Sequence, residues 1–339
     1  MKTPYHRIKR CIIDGILLQG YRFRIPSTLI IEPANRCSLR CSCCPNGQMN
    51  AKLRPRGTMS RETFDRITAN IDIPIKKCFL HLCGEPFLNE HIAYFASKIA
   101  DKGWQPIIFS NGYNIDMKLL DELLQVKHLK ISFSMELLSP DYYENIRRPG
   151  KYCVAISSLK RINEIFLRHK KFYGLNIITN PLSSQEELSR VTTELFNKHS
   201  QLISISYSAE FPWPGLPTTG HVAGHLRKHK RICTEMYSPL PILWNGDVAM
   251  CSLDYSGDTI IGNILDTKYS KIYNSRAARR FRRMHFLWQR DGNALCRNCI
   301  VDRWKNASRT IYRGAFNKLS AEERSEAFNL FTEYYRNGF

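Results

Sequence analysis

Short apolar segments alternate with amphipathic segments through the first two thirds of the chain. The apolar segments have strand length, and the segments between them repeat apolar positions at helical spacing. This alternation predicts βα units and a parallel sheet. Six units are too few to close a (β/α)8 barrel, so we expect an α/β fold with a partial (β/α)6 TIM-like barrel. The strand candidates are residues 28–32, 78–83, 106–110, 129–134, 175–179 and 202–207, and the helical candidates are 60–70, 90–102, 116–126, 153–168 and 185–199.

The pattern changes at the segment Phe211 to Pro217, which is rich in proline and glycine and predicts a boundary. Beyond it, residues 241–262 predict a small hairpin with a turn at Asn245-Gly246-Asp247. A basic helical stretch at 270–288 then leads to a second group of cysteines. The predicted regions are an N-terminal helical extension at 1–27, the partial barrel at 28–215, a small C-terminal cysteine-rich domain at 216–305 and a helical tail at 306–339.

The twelve cysteines fall in two clusters plus single positions, unlike the even framework of a small secreted domain. Thiolates held for a metal need a reducing compartment, so we expect a cytoplasmic protein. The N-terminus is basic and then apolar, but Asp14 and Gly15 interrupt the apolar run and no small-residue cleavage site follows. We therefore predict neither a signal peptide nor stable membrane insertion.

The run Cys37-Ser38-Leu39-Arg40-Cys41-Ser42-Cys43-Cys44 directly follows the first strand candidate. Cys37, Cys41 and Cys44 have the spacing C-x3-C-x2-C. Three thiolates can hold a [4Fe–4S] cluster and leave one iron open for a small-molecule ligand, as a catalytic centre requires. On this run alone, a structural zinc knuckle is the alternative.

Two further motifs end the next strand candidates, and with the cysteine run they resemble the radical S-adenosylmethionine (SAM) enzymes, particularly those with a C-terminal SPASM or twitch extension. Cys83-Gly84-Glu85-Pro86 is similar to the G-E-P motif, whose backbone binds the SAM amino group in that family. Ser110-Asn111-Gly112 stands in the place of the family's turn near the ribose. Functional groups gather at the carboxyl ends of parallel strands, where all these motifs lie.

The fourth strand candidate ends in Ser132-Phe133-Ser134-Met135-Glu136, and Tyr143-Glu144-Asn145-Ile146-Arg147 follows. This is similar to the family's S-x-D-G…Y-x-x-I-R pattern, whose serine and arginine lie near the SAM carboxylate and ribose. Cys43 departs from the pattern, because an aromatic residue near the adenine is common there, and Met135-Glu136 replaces an acidic residue and glycine. The SAM contacts that the resemblance implies are Gly84, Glu85, Pro86, Ser110, Asn111, Ser132, Ser134 and Arg147.

A second cysteine set consists of Cys233, Cys251, Cys296 and Cys299. The segment Gly246 to Cys251 matches the G-x4-C of the SPASM/twitch pattern, and Asp254 continues that resemblance. The chain has no cysteine after Cys299, so the resemblance implies the twitch type with one auxiliary [4Fe–4S] cluster. A zinc ribbon on the same four cysteines is the alternative. Closed coordination leaves a redox role or folding support as the function.

The resemblance implies that the protein reductively cleaves SAM to a 5′-deoxyadenosyl radical, which abstracts hydrogen from a substrate C–H bond. The electron would come from an external flavodoxin- or ferredoxin-type reductant. The net charge of +20 favours an anionic partner, although a solvated basic surface is equally compatible. Nucleic acid is not expected, since no recognisable binding motif is present.

We therefore expect oxidation or epimerisation of an anionic small molecule, such as a sugar, cyclitol or nucleotide derivative. Modification of a ribosomally made precursor peptide is the alternative. The roughly 27 residues before the first strand candidate leave no room for a peptide-recognition domain, but such a domain can be a separate chain. A non-catalytic iron–sulfur or zinc protein would not need the G-E-P and S-N-G motifs.

Several remaining residues are candidates with more than one interpretation. Some relatives use a cysteine to return hydrogen to a substrate radical, and Cys83 and Cys153 are the candidates for that role. Cys83 could instead face the core, and His81, which alternates with it, is either a base or a hydrogen-bonded structural histidine. Tyr207, Glu210 and Trp213 stand where substrate would enter, while Cys11 and Cys78 are predicted to be core residues.

Overall fold

The computed structural model describes residues 26–48, 54–137, 139–179, 203–209, 213, 214, 216, 233, 239–286, 290–297 and 299. Several predicted features lie outside these residues. They are the extension up to residue 25, the helical candidate 185–199, Cys11, Glu210 and the tail 306–339.

Six parallel strands form the described part of the barrel, and each pairs with the next in chain order. They are β1 (Thr28–Ile31), β2 (Lys77–Leu80), β3 (Gln105–Ser110), β4 (Lys130–Met135), β5 (Tyr173–Thr179) and β6 (Ile203–Ala209). The described helices between them are α1 (Arg61–Ala69), α2 (Ile92–Asp101), α3 (Met117–Leu123), α4 (Pro140–Ile146) and α5 (Tyr152–His169). The sequential parallel order confirms the predicted partial (β/α)6 architecture.

Helices α1, α3 and α4 each begin after a residue whose side chain accepts a hydrogen bond from a free backbone N–H group, whereas α2 and α5 have no such cap. Ser60 accepts from the N–H of Thr63 at 3.1 Å before α1, and Asp116 accepts from the N–H of Lys118 at 2.8 Å before α3. The apolar faces then pack on the sheet and on each other. Phe64 of α1 stacks on Phe95 of α2 with ring centroids 4.2 Å apart, and both side chains are fully buried.

Alternation along the strands separates the helix-covered core from the barrel interior. In β2, Cys78 and Leu80 are fully buried, which confirms Cys78 as a core residue, while Phe79 between them is partly exposed. Phe79 stacks on Phe109 of β3 with centroids 6.3 Å apart, so the two rings share the interior face. Ser132 and Ser134 continue that face on β4 and are likewise partly exposed.

Three short strands extend the same sheet beyond β1. They are β7 (Pro241–Ile242), β8 (Asp247–Ala249) and β9 (Ile260–Asn263), where β7 is parallel to β1 and the others are antiparallel. The predicted hairpin turn is confirmed: Gly246 has φ +87°, a conformation that favours glycine. The sheet is therefore continuous across the predicted boundary at residue 215, and the division into domains stays a prediction.

The rest of the described C-terminal region is helical. It contains α6 (Tyr269–Tyr273), α7 (Arg276–Phe286), a 3-10 turn at Arg290–Gly292 and α8 (Ala294–Arg297). The predicted basic helix thus forms two helices. None of the helices within the described ranges has both the length and the apolar character needed to cross a bilayer.

Candidate functional site

The first three cysteines lie in the loop that follows β1, at the carboxyl edge of the sheet. The backbone N–H of Cys44 donates to the carbonyl of Cys41 at 3.0 Å, which folds the loop back on itself. Burial raises the pKa of Cys37 to about 11 and that of Cys44 to about 12, and each of these thiols is close enough to Cys41 to feel its charge. Burial also raises the pKa of Cys41. The loop therefore gathers three thiols that need a positive charge, such as iron, to ionise.

The G-E-P turn lies directly against this loop. An added Cβ at Gly84 would lie 2.1 Å from the Ala34 carbonyl oxygen, so only glycine allows the approach. That approach lets the N–H of Glu85 donate to the carbonyl of Arg36 at 2.8 Å. Pro86 begins a 3-10 turn, and the N–H of Phe87 donates to the Glu85 carboxylate at 3.1 Å.

The Glu85 carboxylate connects the G-E-P turn to the S-N-G turn. It accepts hydrogen bonds from the Ser110 hydroxyl and from the Asn111 N–H, both at 2.8 Å. Burial raises the pKa of Glu85, and the donated hydrogen bonds oppose that shift. Asn111 in turn reaches the first cysteine, with its Nδ2 at 3.5 Å from the Cys37 Sγ. Gly112 has φ +66°, which directs the chain away after the turn.

An ion pair at the end of β4 supports the other side of the cysteine loop. Arg147 pairs with the fully buried Glu136 and donates to the Ser134 carbonyl at 3.0 Å. Burial alone would lower the pKa of Arg147, but the Glu136 carboxylate and then Cys41 hold it well above its usual value. Glu136, whose role the sequence left open, is therefore the buried ion-pair partner of Arg147. Cys43 is half-buried and close enough to Arg147 to contribute to the same shift.

A second buried ion pair, which sequence reasoning missed, lies beside Cys83. Arg54 binds Glu32 through two hydrogen bonds of 2.8 and 2.9 Å, and both side chains are buried. Burial raises the pKa of the Cys83 thiol, and the thiol interacts with Glu32, Arg54 and Cys44. The sequence feature that could have indicated this ion pair is the charged residue Glu32 directly after the apolar strand β1. Cys83 therefore lies at the edge of the site rather than in the core under the helices.

His81 lies among aromatic rings on the interior side of the barrel. Its ring centroid is 5.5 Å from that of Phe79 and 4.8 Å from that of Phe109. Burial lowers the pKa of His81 to about 4, so the ring is neutral near pH 7. Its Nδ1 atom is buried without a hydrogen-bond partner in the described part of the chain.

The other candidates occupy different surroundings. Cys153 lies in the first turn of α5, where it is exposed and close to Lys151. Trp213 contacts Tyr255 edge to face, with centroids 6.1 Å apart, and the Tyr255 hydroxyl donates to the Pro214 carbonyl. Tyr207 lies in β6, near its end. The roles predicted for Cys153, Tyr207 and Trp213 stay predictions.

The second cysteine set also comes together. Burial raises the pKa of Cys251 well above its usual value, and Cys233, Cys299 and Cys296 raise it further. The Sγ of Cys296 lies 3.3 Å from the Nε2 of His285, a contact that sequence reasoning missed. Asp254 is buried and accepts from three backbone N–H groups at 2.7 to 3.0 Å, which shapes the loop after Cys251.

The chemistry of both sets fits iron–sulfur ligation. Cysteine thiolates are the protein ligands of [4Fe–4S] clusters, and three of them leave one iron open while four close the coordination. Among the described residues, no group of three or more His, Cys, Asp or Glu side chains is arranged to hold a single metal ion. Cys37, Cys41 and Cys44 would hold the cluster that binds SAM, and the four C-terminal cysteines would hold the auxiliary cluster.

Family models match both parts of the chain. The Radical SAM superfamily model matches residues 31–187, and the SPASM model, an iron–sulfur cluster-binding domain, matches residues 233–300. Radical SAM domains use a [4Fe–4S] cluster and SAM, and SPASM domains bind auxiliary iron–sulfur clusters. GTP 3′,8-cyclase of Desulforamulus reducens is 27% identical over 175 residues, which are 49% of this chain and 52% of that protein. The chain therefore spans about half the length of that curated relative.

Solved structures share the fold. BtrN in complex with AdoMet and 2-DOIA has a TM-score of 0.54 at 17% identity, covering 81% of this chain and 93% of that one. SuiB of Streptococcus suis bound to the precursor peptide SuiA has a TM-score of 0.60 at 14% identity, covering 88% of this chain and 77% of that one. At these identities the likeness concerns the fold alone.

Proposed function

This chain belongs to the radical SAM superfamily and carries a SPASM domain, and we propose that it oxidises or epimerises an anionic small molecule by abstracting hydrogen from a C–H bond. When bound, the open cluster and SAM supply the 5′-deoxyadenosyl radical that such chemistry uses. The observation that carries the proposal is the hydrogen-bonded network of Glu85, Ser110 and Asn111, which ends at Cys37.

The network assigns a separate task to each side chain around the site. The Glu85 carboxylate fixes the G-E-P backbone, so that its polar groups can orient the amino group of SAM. Arg147, held by Glu136 beside Cys41, would present positive charge toward the SAM carboxylate. Asn111 and the N–H of Leu39 donate to the Cys37 sulfur at 3.5 and 3.4 Å, which would stabilise its thiolate when iron is bound.

The interior face of the barrel supports a polar small-molecule substrate. Ser132 and Ser134 present hydroxyl groups there, and Asn176 of β5 binds Ser206 of β6 at 3.1 Å further along the sheet. The neutral ring of His81 adds a buried nitrogen without a partner in the described residues. Neutral hydrogen-bonding groups match substrate hydroxyls, and the net charge of +20 favours an anion.

A precursor peptide is the second candidate substrate. It is favoured by the likeness in fold to SuiB, which was solved with the precursor peptide SuiA. The likeness to BtrN, solved with AdoMet and 2-DOIA, supports the first candidate instead. Cys83 and Cys153 remain proposed hydrogen donors, and Cys83 has the stronger case because its thiol lies beside Cys44. A cytoplasmic location, where thiols stay reduced, is part of the proposal.

The test is cleavage of SAM by the anaerobically reconstituted full chain with dithionite. We expect release of 5′-deoxyadenosine, measured by mass spectrometry, and its loss in Cys41→Ala. With a panel of deuterated sugars, cyclitols, nucleotides and peptides, the true substrate should transfer deuterium into 5′-deoxyadenosine. If reconstituted protein with a full iron content releases no 5′-deoxyadenosine, the proposed function is wrong.

A further inference from the structure

Helix α7 carries four arginines on one face. They occupy positions i, i+3, i+4 and i+7 of the helix, so they form a single stripe. All four side chains are exposed. The arginine stripe consists of Arg276, Arg279, Arg280 and Arg283.

The opposite face of α7 is buried against the second cysteine set. Ala278 is fully buried, and the Phe281 ring contacts the His285 ring, with centroids 5.2 Å apart and ring planes tilted by 32°. His285 is buried, and its Nε2 lies 3.3 Å from the Cys296 Sγ. At 100° per residue, His285 points about 180° away from the middle of the arginine stripe. The helix therefore separates the stripe from an auxiliary-cluster ligand by about its own diameter, roughly 10–12 Å.

Among the described residues, no ion pair neutralises the charge of the stripe. Residues 276–286 contain no aspartate or glutamate. Like charges at positions i and i+4 destabilise a helix. The remaining arginine, Arg282, packs over the Tyr273 ring at 4.2 Å and donates to the Tyr273 carbonyl, so it holds the helix in place.

We propose that the arginine stripe docks an acidic one-electron carrier of the flavodoxin or ferredoxin class. The carrier would exchange one electron with the auxiliary cluster across α7, through the His285–Cys296 contact. After substrate oxidation, the reduced auxiliary site loses one electron and the oxidised carrier gains one, and no bond forms or breaks. This inference rests on the proposed function, because it requires an iron–sulfur cluster at the four cysteines.

Three observations favour a protein carrier over nucleic acid or a membrane. The stripe contains no aromatic side chain on which bases could stack, and its exposed neighbour Ala277 offers little apolar area for insertion into lipid. The proximity to Cys296 is also a feature that an electron carrier would use and the other partners would not.

The experiment compares two variants of the reconstituted full chain. The first changes all four stripe residues to glutamine, which keeps the helix propensity. The matched control removes four exposed charges elsewhere, with Lys127→Gln, Lys130→Gln, Lys160→Gln and Arg161→Gln. The probe is an acidic flavodoxin, with its Kd measured by calorimetry at several ionic strengths.

We expect the stripe variant to weaken flavodoxin binding by about tenfold or more at low salt, and to flatten its salt dependence. The control should change the Kd by less than about twofold. Equal effects of the two variants would overturn the proposal. The proposal would also be overturned if the stripe variant lost binding to single-stranded DNA or to phosphatidylserine vesicles but bound flavodoxin with an unchanged Kd.

A kinetic readout separates this inference from the proposed function. Electron transfer between flavodoxin and the auxiliary cluster should slow in the stripe variant, while release of 5′-deoxyadenosine with dithionite should not change. If dithionite gives no 5′-deoxyadenosine in any form of the protein, the proposed function fails. If dithionite works and flavodoxin reacts equally with all forms, only the docking surface is wrong.

Discussion

The Ser110 hydroxyl donates to the Glu85 carboxylate at 2.8 Å, and this contact joins the ends of two neighbouring strands. The same carboxylate accepts from the N–H of Asn111, whose side chain reaches Cys37. Three motifs separated along the sequence thus form one network around the proposed SAM site. Rigid support of this kind keeps binding groups in position, so disturbing it should affect ligand binding more than overall stability.

Replacing Gly84 with alanine should displace the G-E-P turn. The added Cβ would lie 2.1 Å from the backbone oxygen of Ala34, and backbone atoms cannot move aside as a flexible side chain can. We expect SAM affinity to fall by about tenfold or more. Gly262→Ala is the matched control, since its Cβ would meet Ile272 at an ordinary 3.5 Å. Equal Kd values for SAM in the two variants, by equilibrium dialysis, would show that the turn tolerates a side chain.

Replacing Glu136 with glutamine should destabilise the protein strongly. The change leaves the buried guanidinium of Arg147 without its countercharge, which costs about 3–5 kcal/mol in comparable buried pairs. Glu144→Gln is the control, because Glu144 pairs with Lys151 at 2.8 Å on the surface, where solvent screening leaves an ion pair little effect on stability. Urea unfolding of the two variants measures the difference, and similar losses would contradict a structural role for the buried pair.

The two cysteine sets should hold separate clusters. Anaerobically reconstituted protein should contain about eight irons, and Cys251→Ala should contain about four while keeping the cluster that binds SAM. Cys153→Ala is the control, because Cys153 is exposed in α5, and its iron content should match the parent protein. Iron, zinc and sulfide analysis checks this. Zinc in place of the iron lost from Cys251→Ala would contradict the auxiliary cluster.

Asp254 should be needed to assemble the auxiliary site. Its buried carboxylate accepts from the N–H groups of Gly257, Asp258 and Thr259, and asparagine would replace one acceptor oxygen with a donor. Hydrogen bonds to charged groups contribute about 1.5–3 kcal/mol each. We expect Asp254→Asn to lose the auxiliary iron, whereas Asp258→Asn at the exposed neighbouring position should keep it. Retention of about eight irons in Asp254→Asn would disprove this role.

The sequence predicted local features well and long-range contacts poorly. The order of the strands and the gathering of Cys37, Cys41 and Cys44 follow from periodicity and short spacing. The second strand ends at Leu80 rather than at the predicted residue 83, because the apolar run continues into the loop that holds the G-E-P turn. The Glu32–Arg54 pair and the parallel pairing of β7 with β1 join distant segments, and no local pattern encodes such contacts.

His81 should make stability depend on pH in acid. Burial lowers its folded pKa to about 4, below the ordinary histidine value of about 6.5. Well above pH 6.5 the ring is neutral in both states and contributes nothing to the pH dependence. Between pH 6.5 and 4 the unfolded chain takes up a proton that the folded chain does not, so stability falls as the pH falls.

The slope of that loss is at most about 1.4 kcal/mol per pH unit. His81→Phe lacks the titrating group and matches its aromatic neighbours Phe79 and Phe109, so the loss should be absent in this variant. Urea unfolding from pH 7.5 to 4.5 measures the free energy of unfolding of both proteins, and exposed His128→Gln controls for removal of a histidine. The free energy of unfolding of the parent protein minus that of His81→Phe should stay constant above pH 7 and fall below pH 6. Parallel profiles would mean that the folded protein accommodates a protonated His81, and that the barrel interior is open to water.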